Sequence, residues 1–215
     1  MGESAIHLFP STVPLFPLNQ CIVLPFCSLP LRLFEPRYLQ MFEDQDENGS
    51  HIGIIQPRHQ EHDHKDLYEI GTLVEVVESK SVENRQYMIT VRGVIRFRLL
   101  REVSKEGKLY RMGDIDLDSF EQDLIEAEVK RFNRDEFFFR IEDYLKRKNI
   151  RLDFQQIKDL SDMKVINIIS QVLPFRAAEK QTLLEAVSIE ERADRLFALL
   201  KMAMFDQSSH TGEIN

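Results

Sequence analysis

Residues 87–103 read YMITVRGVIRFRLLREV, and this stretch indicates the fold class of the N-terminal half. On both sides of Gly93, apolar residues alternate with polar ones, as they do in a strand with one buried and one exposed face. In the second part Arg96, Arg98 and Glu102 fall together on the polar face. A glycine between two such runs is typical of a turn or a bulge. The stretch therefore predicts two short antiparallel strands, each with one face in solvent.

Further short strands are predicted on either side of this stretch. Residues 72–78 and 110–117 have strand-like composition, and residues 81–84 have the length of a hairpin connection. Residues 13–18 are apolar but contain two prolines, which have no N–H to donate to a sheet. They predict an edge strand, or a strand broken by a bulge. Short antiparallel elements of this kind favour a small barrel or sandwich over a parallel sheet with crossover helices.

The sequence changes character near Phe120, and the C-terminal half predicts helices. No glycine occurs over residues 121–211, and apolar residues recur every three or four positions. One such stripe consists of Phe137, Ile141, Tyr144 and Leu145. Ser161 and Ser188 have the positions of helix N-caps. The predicted helices include residues 161–173, 177–187 and a last helix from residue 189.

Together these patterns predict an α+β fold whose two classes are segregated along the chain. We expect a β-rich part over residues 10–118, an α-helical part over residues 119–205 and a disordered polar tail over residues 206–215. At 215 residues the chain is long enough to bury a sizeable core, as one large domain or two small ones.

The composition argues against nucleic acids and membranes as partners. The chain carries a formal net charge of -8, whereas non-specific affinity for nucleic acid comes from Lys and Arg that displace counterions. No apolar run approaches the ~20 residues that span a bilayer. The N-terminus has no basic leader followed by a long apolar run. We therefore expect a cytoplasmic protein.

Residue patterns that would indicate catalysis are missing from the sequence. The Gly107-Lys108 pair is followed by Leu109, so it does not form a P-loop. No Gly-x-Ser-x-Gly nucleophile motif occurs. Cys21 and Cys27 lie in a dense apolar run, where a thiol is usually inert packing. The sequence thus predicts neither an enzyme nor a cofactor.

Residues 59–64, HQEHDH, are rich in side chains that bind metals. His62 and His64 would chelate a divalent ion if the loop folded around it. However, no remote ligands with a familiar spacing complete such a site, and a solvated loop between two strands explains the same composition. We predict no functional metal site here.

A basic cluster surrounds Gly93. Its members are Arg92, Arg96, Arg98 and Arg101. One interpretation is a small patch for RNA or another anion, because Arg96 and Arg98 share a strand face. The other is a solvent face paired with local acids such as Glu102. The negative charge of the chain favours the second.

Several motifs in order carry a family resemblance. They are VPLFPLN at residues 13–19, LPLRLFEPRY at 29–38, YEIGTL at 68–73, VRGVIRF at 91–97 and three short helical matches at 173–174, 179–185 and 191–192. The set resembles the N-terminal domain of Lon proteases, and especially the short stand-alone bacterial members. The matches span about residues 12–204, so the resemblance covers nearly the whole chain.

The resemblance implies a PUA-like β pseudo-barrel over residues 10–118, followed by an α-helical bundle over residues 119–205. In full-length Lon this domain is thought to help recognise substrates and to assist assembly. The resemblance therefore implies a non-catalytic module that binds unfolded protein or peptide and lacks the ATPase and protease domains. The resemblance is also compatible with three further partners, namely a protease, a chaperone or a second copy of the chain. The alternative is an RNA-binding module, since PUA-like folds elsewhere bind RNA.

The same resemblance directs attention to the segment after the first strand. We expect an exposed apolar groove there, lined by Phe26, Leu29 and Tyr38. Arg37 is the candidate charged contact, whereas Glu35 is expected to form a structural ion pair.

Three further expectations concern this part of the chain. Relatives usually have glycine soon after the first strand, where this chain has Phe26, so the loop is expected to differ. Leu31, Leu33 and Phe34 are expected in the core. Extended polypeptide is expected to add to the edge strand at residues 13–18.

Overall fold

The computed structural model describes residues 5–45, 51–58, 66–83, 85–130, 132–151 and 156–205. The strands are β1 Thr12–Pro17, β2 Ser28–Leu33, β3 His51–Ile55, β4 Ile70–Val82, β5 Gln86–Val103 and β6 Arg111–Asp116. The α-helices are α1 Pro36–Glu43, α2 Arg134–Arg147, α3 Asp162–Val172, α4 Ala177–Leu184 and α5 Ile189–Phe205. Two 3-10 helices cover Ala5–Leu8 and Asp118–Leu124.

The strands form one six-stranded sheet in the order β2-β5-β4-β3-β1-β6, and β5 also pairs with β6. β1 runs parallel to β3, and the other pairings are antiparallel. Helices α2 to α5 follow the sheet along the chain. The predicted α+β class is therefore confirmed.

β5 is one strand of 18 residues, where the sequence predicted two strands separated by a turn or a bulge. Its register against β4 shifts near Gly93, since Leu73 lies opposite Ile95 whereas Val74 lies opposite Gly93. The bulge is confirmed and the turn is wrong. A bulge bends a strand and increases its twist. β5 pairs with β2 through its first half and with β6 through its second.

Gly93 also allows a close approach by the segment between β1 and β2. A Cβ added at Gly93 would lie 2.3 Å from the carbonyl oxygen of Leu24. The backbone of Gly93 donates to Cys27 O at 2.9 Å and accepts from Phe26 N at 3.0 Å. Residues 24–27 are thus held against the middle of β5 where only glycine fits.

The prediction that residues 13–18 form an edge strand is wrong, because β1 lies between β3 and β6. Pairing with β3 starts at Leu15, after Pro14. Pairing with β6 ends at Leu15, before Pro17. Each proline is therefore paired with a neighbouring strand on one side only. For this reason an inner strand can contain both prolines.

Two of the helices, α3 and α5, begin at caps that the sequence predicted. The Ser161 side chain accepts from the N–H of Lys164 at the start of α3. The Ser188 side chain accepts from the N–H of Glu191 at 3.1 Å at the start of α5. The predicted α2 stripe is buried as expected, at Phe137, Ile141, Tyr144 and Leu145.

The main hydrophobic cluster combines both halves of the chain. Its members from the sheet include Leu15, Leu73 and Phe97, and those from the helices include Phe137 and Leu196. A second cluster lies beneath α1 and includes Phe16, Leu33, Tyr38 and Met41. The sheet and the helices therefore bury apolar surface against each other.

Arg96 does not face solvent, contrary to the prediction, because it is only 1% exposed. Its guanidinium donates twice to Asp123, from Nε at 2.7 Å and from Nη2 at 2.8 Å. The Phe120 ring lies 4.7 Å from the guanidinium carbon. The alternation along β5 correctly places Arg96 and Phe97 on opposite faces of the strand. However, the 3-10 helix Asp118–Leu124 covers the face that carries Arg96.

Arg96 also fixes the connection between α4 and α5. Its Nη1 donates to the carbonyl oxygens of Leu184 and Ala186. These carbonyls therefore bind a side chain instead of the N–H groups of a continuing helix. As a result α4 ends at Leu184, whereas the predicted helix ran to residue 187.

Asp123→Asn is expected to lower the free energy of unfolding by about 3–5 kcal/mol, because it leaves a buried guanidinium without its counter-charge. Urea denaturation followed by circular dichroism measures this. The matched control is Glu75→Gln, which removes the partner of Arg92 in a pair whose side chains are 53% and 36% exposed. That pair should contribute about 1 kcal/mol or less. Equal losses from the two substitutions would contradict the role of Asp123.

Candidate functional site

A small cleft lies where the end of β1, the end of β2 and the start of α1 meet. Its volume is about 160 Å³. The apolar walls include Phe16, Leu18, Leu31, Phe34 and Tyr38. The charged side chains at the cleft are Arg32, Glu35 and Arg37.

An ion pair at the start of α1 shapes the rim of the cleft. Arg37 Nη2 donates to Glu35 Oε2 at 2.7 Å, and both side chains are 38% exposed. The guanidinium carbon of Arg37 lies 4.7 Å from the ring centroid of Tyr38. The expected structural pairing of Glu35 is confirmed. Pro36 begins α1 in the first helical turn, where its missing N–H costs no hydrogen bond.

Tyr38 forms part of the cleft wall and of the second core cluster. Its ring centroid lies 4.1 Å from that of Phe16, and the residue is 6% exposed. Burial raises the pKa of the Tyr38 phenol, and this effect exceeds those of Arg37 and Glu35. The phenol is therefore neutral at physiological pH, and the wall it forms is rigid and uncharged.

The four predicted site residues do not all come together. Arg37 and Tyr38 line the cleft. Leu29 is half-buried on β2 opposite Val91, two residues before the cleft residue Leu31 and on the same strand face. Phe26 precedes β2 and packs against the main core cluster.

Phe26 has a backbone conformation that glycine adopts more easily. Its φ of 64° lies in the left-handed region, which glycine adopts freely and a bulky side chain does not. Such a residue costs of order 1–3 kcal/mol. Two side chains of α3 hold the segment in place. Asn167 donates to Pro25 O at 3.1 Å, and Gln171 accepts from Leu24 N at 3.2 Å.

Phe34 is a cleft residue that the sequence interpretation placed wrongly in the core. It is 58% exposed. A signal was present, since Leu29, Leu31 and Leu33 alternate along β2 toward the second cluster. Phe34 directly follows Leu33, so this alternation places it on the opposite face, where its side chain stays at the surface.

β2 is an edge of the sheet, since among the described strands it pairs with β5 alone. The N–H of Gly93 donates to Cys27 O in the register of this pair, and bonded and non-bonded pairs alternate along an antiparallel ladder. The residues whose backbone groups point to the free edge are therefore Ser28, Pro30 and Arg32. Pro30 has no N–H, so the edge lacks its central donor, which disfavours addition of another strand.

Pro30→Val is expected to restore that donor and to cause association beyond that of the unsubstituted chain, because an unprotected edge pairs with other strands. Light scattering over a concentration series measures this. Pro174→Val, at an exposed proline that follows α3, is the control and should leave the scattering unchanged. Identical behaviour of Pro30→Val and the control would show that the edge is protected in another way.

The surroundings of both cysteines disfavour the thiolate form that a nucleophile needs. Burial raises the pKa of the Cys27 thiol to about 12. Burial also raises the pKa of Cys21, against a smaller lowering effect of Lys180. The thiolate is the reactive form of cysteine, so neither side chain is activated.

In a Cys21→Ser variant at pH 8, Cys27 is expected to react with a disulfide reagent about 10³-fold more slowly in the native than in the denatured chain, because its thiolate fraction is far smaller. Absorbance of the released thiol measures the two rates. Equal rates would mean that Cys27 is accessible and ionised, and would reopen the question of a thiol nucleophile.

The basic cluster around Gly93 is neutralised within the chain. Arg92 pairs with Glu75 at 2.6 Å, Arg98 with Glu69 at 2.8 Å and Arg101 with Asp114 at 2.8 Å. Glu102, the predicted acid partner, pairs with Arg111 instead. With Arg96 buried, these residues do not form the contiguous basic face that RNA binding requires.

Two observations concern metals and membranes. Residues 59–64 lie outside the described part of the chain, and within that part no group of three or more His, Cys, Asp or Glu is placed to hold a metal ion. No helix formed by the described residues has the length and hydropathy to cross a bilayer.

Two solved structures with a similar fold are N-terminal domains of Lon proteins. A Lon N-terminal domain protein from Xanthomonas campestris has a TM-score of 0.61 and 23% identity, over 88% of this chain and 98% of that one. The N-terminal domain of the Lon protease from the Mycobacterium avium complex has a TM-score of 0.55 and 19% identity, over 93% of this chain and 99% of that one. At these identities the likeness shows the fold.

Residues 12–202 match the family of the ATP-dependent protease La (LON) substrate-binding domain, and the chain belongs to this family. The Lon protease of Bacillus thuringiensis is 24% identical over 200 residues, which are 88% of this chain and 24% of that protein. The Lon protease of Wolbachia pipientis is 22% identical over 222 residues, 92% of this chain and 25% of that protein. The chain thus spans about a quarter of the length of these relatives.

Proposed function

We propose that the chain is a non-catalytic protein-binding module that holds an apolar side chain of an extended polypeptide in the cleft beside α1. The observation that carries this proposal is the exposed Phe34 ring at an apolar cleft with a charged rim. The family description as a substrate-binding domain supports it. The raised thiol pKa values support the non-catalytic part, since they keep both cysteines protonated.

The size of the cleft suits one side chain. Its volume of about 160 Å³ is close to the ~150 Å³ of an apolar cavity that accepts a benzene molecule. Leu18, Leu31 and Phe34 supply apolar contact, and Tyr38 supplies a buried wall that cannot rearrange freely. Transfer of an apolar side chain from water to such a cleft contributes about 1.5–3 kcal/mol.

The charged rim suits the backbone of the same polypeptide. Arg37 already donates two hydrogen bonds to Glu35, from Nε at 3.0 Å and from Nη2 at 2.7 Å. Its remaining N–H groups are in reach of solvent, because the side chain is 38% exposed. Peptide carbonyl oxygens are acceptors for such donors.

We extend the binding path along β2 to the other two predicted residues. Leu29 continues the strip that Leu31 begins on the same strand face. Phe26 lies beyond the start of β2 and is fixed by the hydrogen bonds of its segment. In this arrangement Arg37 and Tyr38 hold one end of the polypeptide, and Leu29 and Phe26 contact its continuation.

The proposal also includes the PUA-like pseudo-barrel as the architecture of the sheet. Pairing of β5 with β6 links five strands in the closed order β5-β4-β3-β1-β6-β5, and β2 extends from β5. A closed order of this kind supports the pseudo-barrel. The subdomain limits at residues 10–118 and 119–205 stay predictions.

Phe34→Ala tests the cleft directly. Binding of a fluorescently labelled, reduced and carboxymethylated protein, which is permanently unfolded, is expected to weaken about tenfold or more. The free energy of unfolding should change by no more than about 0.5 kcal/mol, since the ring is exposed. Fluorescence anisotropy and urea denaturation measure the two quantities.

Phe139→Ala is the matched control, because Phe139 is 71% exposed on α2, outside the residues of the cleft. It should bind the unfolded protein as the unsubstituted chain does. If both variants bind equally well, the cleft is not the binding site. If labelled single-stranded RNA binds more tightly than unfolded protein at physiological salt, the RNA alternative replaces the proposal.

A further inference from the structure

The exposed face of α5 borders a groove on the helical side of the molecule. The groove has a volume of about 960 Å³, and α2 and the segment before it form its other side. The α5 residues along it include Asp194, Phe197, Ala198 and Lys201. Their spacing of three, four and seven positions from Asp194 places them on one helix stripe.

Phe197 is held in a defined position at the centre of this stripe. Its ring makes an edge contact with Phe137, at a centroid distance of 5.5 Å and an interplanar angle of 86°. The guanidinium carbon of Arg140 lies 5.8 Å from the same ring. Phe197 is half-exposed and its neighbour Ala198 is exposed, so a large and a small side chain stand next to each other on the surface.

The charges at the two ends of the stripe have opposite sign. Asp194 and Lys201 are both exposed. Within the described part of the chain neither of them forms an ion pair, whereas the nearby Arg195 pairs with Glu191 at 2.6 Å. The stripe therefore carries an acid at one end, a base at the other, and a large and a small apolar residue between them.

We propose that this α5 face is a two-fold interface with a second copy of the chain. An axis that passes between Phe197 and Ala198 brings the two α5 helices together in antiparallel fashion. It places Phe197 opposite the partner's Ala198 and Asp194 opposite the partner's Lys201. Each large side chain then meets a small one, and each charge meets its opposite.

The position of the axis agrees with the length of the helix. α5 has 17 residues from Ile189 to Phe205, and Phe197 is the ninth of them. The two helices therefore overlap along almost their full length of about 25 Å. An isologous interface uses the same surface patch on both copies, so that patch must be complementary to itself. A groove that carried charges of one sign would instead repel a second copy.

Charge reversal tests the interface on the full 215-residue chain. Sedimentation equilibrium is expected to give twice the chain mass of 25.3 kDa for the unsubstituted protein. Asp194→Lys and Lys201→Asp, each made alone, place like charges opposite each other and should weaken dimerisation about tenfold or more. An equimolar mixture of these two single variants should form a heterodimer, because every opposed pair is then of opposite sign.

Two further variants complete the design. The double variant D194K/K201D should again form a homodimer, since the charges are exchanged but still complementary. Asp159→Lys is the control, because Asp159 is exposed and lies outside the groove, and it should leave the dimer unchanged. Recovery of the dimer in the mixture also shows that the single variants are folded.

Three results would overturn the interface. They are a monomeric unsubstituted chain at high concentration, an effect of Asp159→Lys equal to that of Asp194→Lys, and a mixture of the single variants that stays monomeric. The cleft beside α1 shares no residue with this face. Anisotropy with the labelled unfolded protein therefore reports on the proposed function separately from the dimer.

Discussion

The buried guanidinium of Arg96 is the constraint on which the arrangement of the sheet and the helices depends. A cation removed from water must find a counter-charge and acceptors for its N–H groups, or the fold loses several kcal/mol. Asp123 supplies the charge, and the carbonyls of Leu184 and Ala186 supply further acceptors. One side chain of β5 thus fixes the segment after the sheet and the junction of α4 with α5.

A second set of polar contacts fixes the segment before β2 against α3. Asn167 and Gln171 bind the backbone of residues 24–28, and Gly93 allows that segment to lie directly on β5. These contacts stabilise Phe26 in a backbone conformation that its side chain does not favour. Both sets leave the cleft beside α1 and the outer face of α5 open. The two proposed binding surfaces therefore lie on a scaffold whose interior is held by directional contacts.

Local patterns in the sequence predicted much of the fold, because alternation, proline positions and caps act over a few residues. They did not predict which distant segment of the chain packs against a given face of a strand. Arg96 was assigned to solvent because its alternation with Phe97 reveals only opposite faces, and the covering residue Asp123 lies 27 positions away. β1 was assigned to an edge because proline cannot donate to a ladder, but each proline removes a ladder bond on only one side of the strand. In the cleft, the sequence motif directed attention to Arg37 and Tyr38, which line it. Phe34 was assigned to the core because it directly follows Leu33, which is buried.

We expect the sheet and the helices to unfold as one cooperative unit, because Arg96 and the shared core link them. Native-state hydrogen exchange over a series of low urea concentrations tests it most directly. The slowest amides of β4 and β5 and those of α3 and α5 should converge on one unfolding free energy with one dependence on urea. Helical amides that exchange through a separate opening of lower free energy, while the sheet stays protected, would contradict it.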